Sequence, residues 1–128
     1  MTHWHTVESP ATVEQTVDSL RAELDRRGVT VFAVYDHAAN AREAGLSLAD
    51  EAVIVFGSPA VGTALMLEDP DVGYDLPLRI LVRDDHGVTR VAYRDPAALV
   101  DDYALPGSRA TVQQLSALLH GLAEVARG

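Results

Sequence analysis

The sequence contains no cysteine and no lysine. Without cysteine the chain forms no disulfide, performs no thiol chemistry and builds no zinc site from thiolates. Without lysine it has no phosphate loop ending in Gly-Lys-Ser/Thr, although the turn Gly57-Ser58-Pro59 superficially resembles the start of one. No apolar run approaches the roughly 18 residues of a membrane span, and the first residues lack the basic and apolar regions of a signal peptide. These absences predict a cytoplasmic protein without a membrane partner.

Basic charge is scarce as well. Ten arginines stand against 19 acidic residues, and the formal net charge is −9. Because nucleic-acid binding depends largely on the neutralisation of phosphates, nucleic acid is not an expected partner. The length of 128 residues predicts a single domain over 1–128. A chain of this size buries about two-thirds of its unfolded surface, so it needs no metal to hold its fold together.

The central stretch of the chain is the apolar run Val53–Phe56. A strand without alternation is usually covered on both faces, so we expect this strand to be buried on both sides. Gly57 breaks the strand, Ser58 is suited to an N-cap, and Pro59 fits the first position of a helix. A buried strand is therefore expected to end at the open N-terminus of a helix, where a ligand could bind.

The other elements follow from caps, periodicity and turns. A capping box, Thr12 to Gln15, begins a first helix that ends at Gly28. A second capping box, Thr111 to Gln114, opens a C-terminal helix over 109–127. The element order β-α-β-α-β-α-β-β-α-α contains one tight hairpin, between the runs 78–83 and 88–93. We therefore predict an α+β fold: a two-layer domain with a mostly antiparallel sheet of about five strands and helices packed on it.

Several short motifs together resemble the domain-of-unknown-function 302 family. They are Asp36-His37, Phe56-Gly57-Ser58-Pro59, Met66, Asp75-Leu76-Pro77-Leu78-Arg79 and Tyr93, in the family's order and spacing over about residues 6–105. Ser58 stands where asparagine is commoner in the family. The resemblance implies a small bacterial or archaeal α+β domain that tends to self-associate, and it supplies no reaction.

The candidate ligand-binding residues are polar or distinctive side chains near strand ends. They are His37, Gly57, Ser58, Pro59, Met66, Asp75, Arg79 and Tyr93. Two interpretations of Asp75 and Arg79 stay open: a buried ion pair that holds a loop to the sheet, or an arginine fork for a substrate carboxylate. His3 and His5 share one face of the predicted first strand and could ligate a metal, but the sequence shows no third ligand. No metal site or catalytic residue is therefore predicted, and the sequence leaves the cofactor unknown.

Three functions fit this pattern. The leading hypothesis is a non-enzymatic domain that binds a small molecule or an anion as a homodimer. The second is a small enzyme that uses His37 as acid or base and Arg79 as an electrostatic stabiliser. The third is a structural or interaction module without a ligand.

Overall fold

Five strands form one antiparallel sheet in the computed structural model, which describes residues 3–128. The strands are β1 (Trp4–Ser9), β2 (Thr30–Asp36), β3 (Glu51–Gly57), β4 (Leu78–Asp85) and β5 (Val88–Arg94). Their order across the sheet is β1-β5-β4-β3-β2, and every neighbouring pair is antiparallel. The predicted α+β fold is confirmed.

Five α-helices connect or follow these strands. They are α1 (Val13–Arg26), α2 (His37–Glu43), α3 (Pro59–Glu68), α4 (Ala98–Asp102) and α5 (Arg109–Arg127). The longest two, α1 and α5, pack against the same face of the sheet and against each other. A 3₁₀ helix, Pro70–Asp75, lies between α3 and β4. The Asp69 side chain starts this turn by accepting a hydrogen bond from the backbone of Asp71.

The first helix follows its sequence signals closely. The Thr12 hydroxyl accepts a hydrogen bond from the Gln15 backbone, and the Gln15 side chain accepts one from the Thr12 backbone, so the predicted capping box is formed. Gly28 follows the helix with a φ of +71°, which a side chain disfavours. Leu20 and Leu24 lie on the inner face and are fully buried. Local sequence and tertiary packing therefore agree over this element.

The predicted second capping box is wrong. The α5 helix begins at Arg109, one turn before the position of that box, and the Val112 backbone donates to the carbonyl of Ser108. Ser108 occupies the N-cap position without capping, since its hydroxyl donates instead to the Glu68 carboxylate at 2.5 Å. A tertiary contact thus takes the place of the local cap, while the helix keeps the predicted bounds of 109–127.

The central strand β3 is covered on one face only. Ile54 and Phe56 point toward the helices and have no exposed surface. Val53 and Val55 point to the other side and stay half-buried. The prediction that this strand is covered on both faces is therefore wrong for the described chain, because both long helices lie on the same side. We call the uncovered side the open face.

The β4–β5 connection is a two-residue hairpin. His86 and Gly87 form its tip, with φ values of 52° and 93°. Positive φ at both central residues is the geometry of a type I′ turn, whose twist matches that of the flanking strands. The predicted hairpin is present, with strands longer and a turn shorter than the sequence pattern indicated.

We expect the one-sided core to be visible in stability measurements. Ile54→Ala should lower the free energy of unfolding by about 2–5 kcal/mol, because it opens a cavity at a fully buried site. Leu67→Ala, at a helix position that is 81% exposed, is the matched control and should change it by less than about 0.5 kcal/mol. Urea denaturation of the two variants checks this. Equal losses would contradict the described core.

Candidate functional site

Most of the predicted site residues lie at one end of the sheet. At this end β3 and β5 finish while β1, β2 and β4 begin, as the antiparallel register requires. We call it the upper end. It holds Gly57, Ser58, Pro59, Met66, Asp75, Arg79 and Tyr93. The upper end is therefore where the structure brings distinctive side chains together.

His37 is the exception. It follows β2, whose last residue, Asp36, pairs with Ala52 near the start of β3. Gly57 lies five residues further along β3, which corresponds to about 17 Å. His37 is exposed at this lower end, and the Asp36 carboxylate caps α2 by accepting from the Ala39 backbone at 2.9 Å. The structure thus separates His37 from the other candidates.

An apolar pocket of about 170 Å³ lies at the upper end, between the start of α3 and the loop before β4. Four of the predicted residues line it, namely Gly57, Ser58, Pro59 and Met66. The Ser58 hydroxyl caps α3 by accepting from the Val61 backbone at 3.3 Å. Met66 packs closely on Gly73, where a β-carbon would come within 3.0 Å of the sulfur. The surface of this pocket is mainly apolar, and no charged side chain of residues 3–128 lines it.

A second cavity, of about 230 Å³, lies beside the first and shares its wall of Pro77 and Leu78. We call it the arginine cavity, since both Arg79 and Arg94 line it. The Arg94 guanidinium donates to the Asp102 carboxylate at 2.8 Å. No carboxylate of residues 3–128 lies within 4 Å of the Arg79 guanidinium. Unlike Arg94, Arg79 therefore has guanidinium N–H donors that no carboxylate of the described residues occupies.

The predicted ion pair between Asp75 and Arg79 is not formed. Asp75 instead accepts a hydrogen bond of 2.6 Å from the hydroxyl of Tyr103. This bond, with burial and the Asp75 charge, raises the pKa of Tyr103 to about 12. Arg79 shares its face of β4 with Leu81, as the alternation predicted, and this is the open face. The remaining interpretation of Arg79 is a fork directed toward a ligand.

Below the arginine cavity, on the helix side of the sheet, two histidines converge on one carboxylate. Asp95, which follows β5 and also lines the cavity, lies 3.4 Å from His5 Nε2 and 3.2 Å from His120 Nε2 through its Oδ2 atom. The Tyr93 hydroxyl contacts Nδ1 of His120. We call His5, Asp95 and His120 the histidine–aspartate cluster. Tyr93, a predicted site residue, therefore lies beside two histidines and a carboxylate whose meeting the sequence did not indicate.

His3 does not belong to this cluster. It lies just before β1 with a φ of 66°, and its ring bonds to the Asp101 carboxylate at 2.9 Å. The predicted sharing of one strand face by His3 and His5 is therefore wrong, because the strand begins only at Trp4. The actual partners of His5 are 90 and 115 residues away in sequence, and no local spacing connects them.

Asp95 is held as a carboxylate. Burial raises its pKa, but hydrogen bonds from the Ser116 hydroxyl and the Ala97 backbone, together with the two histidines, outweigh burial and lower the pKa below its usual value. Both of those hydrogen bonds end on Oδ1, at 2.5 and 2.9 Å. The pKa of Tyr93 is raised by burial and by the charges of Asp95 and Glu124. In the cluster, Oδ2 of Asp95 is therefore the carboxylate oxygen that faces the two histidines, and the neighbouring Tyr93 is a neutral phenol.

A family model described as domain of unknown function DUF302 matches residues 5–122. The chain belongs to the DUF302 family. The crystal structure of an uncharacterized conserved DUF302 protein from Bacillus stearothermophilus has the same fold, with a TM-score of 0.81 over 99% of this chain and 100% of that one. Sequence identity to it is 20%, so the likeness concerns the fold alone. The resemblance read from the motifs is thus confirmed.

Relatives of higher identity carry a different description. Proteins named fluoride-specific ion channel FluC 1, from Brucella suis biovar 1 and Brucella abortus biovar 1, are each 40% identical over 101 residues, or 78% of this chain. The matched region covers 40% and 37% of their respective lengths, so this DUF302 chain spans about two-fifths of them. Among residues 3–128, no helix is long and apolar enough to cross a bilayer.

The lowered pKa of Asp95 gives a pH-dependent prediction. A carboxyl group whose pKa is lower in the folded state stabilises the fold above its ordinary pKa of 3.8, and this stabilisation is lost as the pH falls below that value. Asp95→Asn should therefore be less stable than the unmodified chain at pH 7, and the gap should narrow between pH 5 and pH 3. The midpoints of urea denaturation of both proteins, taken at several pH values, measure this difference in stability.

The matched control is Asp18→Asn, an exposed carboxylate on α1. The difference in stability between this variant and the unmodified chain should stay small and nearly constant over the same pH range. A gap for Asp95→Asn that stays constant or widens toward pH 3 would show that this carboxylate does not stabilise the fold in its charged form.

Proposed function

We propose that this DUF302 domain binds a small organic anion in the arginine cavity without catalysing a reaction. The observation that carries the proposal is Arg79, which lines an apolar-walled cavity and has no carboxylate partner within residues 3–128. A guanidinium presents parallel donors that match a carboxylate. A ligand with one carboxylate and an apolar body would fit both the arginine and the walls.

The charge distribution supports an anionic ligand. The chain carries a net charge of −9, yet four of its ten arginines project from the open face of β4 and β5: Arg79, Arg83, Arg90 and Arg94. Arg83 and Arg90 pair with Asp85 at the lower end, and Arg90 also pairs with Glu8. Arg94 pairs with Asp102 at the upper end, and Asp75 and Asp95 also line the cavity. Among residues 3–128, Arg79 is therefore the arginine of this face that has no ion-pair partner. Because the remaining surface is acidic, we propose a cytoplasmic domain without a nucleic-acid partner.

Binding is favoured over catalysis by the position of His37. An enzyme that paired His37 with Arg79 would need both side chains at one substrate. The two lie at opposite ends of the sheet, since His37 follows β2 at the lower end and Arg79 is the second residue of β4, at the upper end. The Arg79 cavity instead offers recognition groups, with Asp75 already bonded to Tyr103.

We further propose that two copies associate through the β2–β3 half of the open face. This half presents Ala33, Tyr35, Val53 and Val55, and the charged Glu51 lies on the same face at the lower end of β3, opposite Arg83. A strand as apolar as β3 is typical of a sheet covered on both faces, and the helices cover one. A second copy supplies the same flat apolar surface, so one two-fold contact covers both sheets at once.

The anion proposal predicts that binding depends on Arg79. Hexanoate or benzoate should raise the melting temperature of the unmodified chain, since a ligand that binds only the folded state stabilises it by about 2.7 kcal/mol at 100 times its Kd. Arg79→Gln should abolish this shift. Fluoride belongs in the panel because the FluC relatives are named as fluoride channels. Thermal shift and isothermal titration calorimetry measure both effects.

The matched control is Arg42→Gln, an exposed arginine on α2 at the lower end. This variant should respond to the anions as the unmodified chain does. Equal loss of the shift in both variants would indicate a nonspecific charge effect, and the absence of any shift in the unmodified chain would refute anion binding.

The dimer proposal predicts a change of mass on disrupting the apolar half. Tyr35→Glu places a charge at a position that is 53% exposed in the single chain, so it should leave the fold intact and yield a monomer. Leu67→Glu, on α3 away from the open face, should remain dimeric. Light scattering after size exclusion measures the mass, with circular dichroism as the folding check. A monomeric unmodified chain would refute the proposal.

A further inference from the structure

Outside the arginine cavity, one group of side chains has the composition of a metal site. His5, Asp95 and His120 each offer one ligand atom, and these three atoms lie within 4.8 Å of one another. They come from three different elements: β1, the segment after β5, and α5. Two imidazoles and one carboxylate are donors that zinc and other divalent transition metals accept.

The distances within the cluster fit a small ion. A tetrahedral ion with bonds of about 2.0–2.1 Å holds its ligand atoms about 3.3–3.4 Å apart. Oδ2 of Asp95 lies 3.4 Å from Nε2 of His5 and 3.2 Å from Nε2 of His120. The two imidazole rings stand nearly perpendicular, with an interplanar angle of 85° and centroids 5.2 Å apart. The two distances to Asp95 therefore match a tetrahedral ion, and all three ligand atoms lie within 4.8 Å of one another.

The surroundings orient these ligands as they do in known metal sites. The Oδ1 atom of Asp95 is occupied by the Ser116 hydroxyl and the Ala97 backbone, which leaves Oδ2 free to coordinate. Nδ1 of His120 contacts the Tyr93 hydroxyl. If this nitrogen carries the proton and donates to Tyr93, the lone pair of Nε2 points toward Asp95. With this tautomer, the contacts leave Oδ2 of Asp95 and Nε2 of His120 in the arrangement that an ion requires.

Solvent reaches the site from one side. The side chains of His5 and His120 are 46% and 48% exposed, whereas that of Asp95 is 12% exposed. Three protein ligands with an open side leave a coordination position for water or a ligand atom, which is the pattern of reactive rather than purely structural zinc sites.

We propose that His5, Asp95 and His120 form a binding site for one divalent transition-metal ion of the zinc type. The proposal does not rest on the proposed anion binding, because neither histidine lines the arginine cavity. The two are neighbours through Asp95, which contributes to both.

The test uses the full chain without an affinity tag, stripped with a chelator and titrated with zinc chloride by calorimetry. The unmodified chain should bind one equivalent of zinc, and cobalt should give visible absorption bands of a nitrogen- and oxygen-bound ion. His5→Gln and His120→Gln should each lower the zinc affinity by more than about tenfold. Ser116→Ala should lower it less, because it removes only the support of Asp95.

The matched control is His37→Gln, an exposed histidine at the other end of the sheet, which should bind zinc as the unmodified chain does. Circular dichroism in the presence of the chelator shows whether each variant folds. Less than one equivalent bound to the unmodified chain would overturn the proposal. Equal affinity losses in His37→Gln and His120→Gln would overturn it as well, because they would show surface binding.

Discussion

The packing of two amphipathic helices on a single face of the sheet is the constraint on which the rest of the structure depends. Leu20 and Leu24 of α1 and Leu119 and Leu122 of α5 bury the inward side chains of the strands. Since side chains alternate along a strand, this burial fixes which residues face outward. A register slip of one residue would place Arg79 in the core and expose Ile80, so the helix layer determines the chemistry of the open face.

Antiparallel pairing then concentrates function-bearing groups at one end. The β3 and β5 strands finish where β1 and β4 start, so residues distant in sequence meet across neighbouring strand ends. Asp95 lies at the centre of this region. It lines the arginine cavity, accepts two hydrogen bonds from the α4–α5 side, and faces both His5 and His120. The two proposed sites are thus connected by one carboxylate that the fold holds charged.

The open face divides into an apolar half and a charged half, and this division connects the proposals. The β2–β3 side is apolar apart from Glu51 at its lower end and suits a flat contact with a second copy, whereas β4 and β5 carry arginines beside the cavity. In such a dimer the arginine cavity would lie near the edge of the contact. Ligand sites frequently occur at such boundaries between packed units.

The sequence by itself determined the elements whose causes are local. The capping box at Thr12, the strand Val53–Phe56 with Ser58 and Pro59 behind it, and the 78–93 hairpin all depend on residues a few positions apart. The family could be identified from the order of short motifs for the same reason. Only the tertiary structure decided which strand ends coincide, and so separated His37 from Arg79, paired Asp75 with Tyr103, and bonded Ser108 to Glu68 in place of a local cap on α5. It alone brought His120 to His5, because their meeting depends on how a helix packs across a sheet, and no spacing along the chain records that.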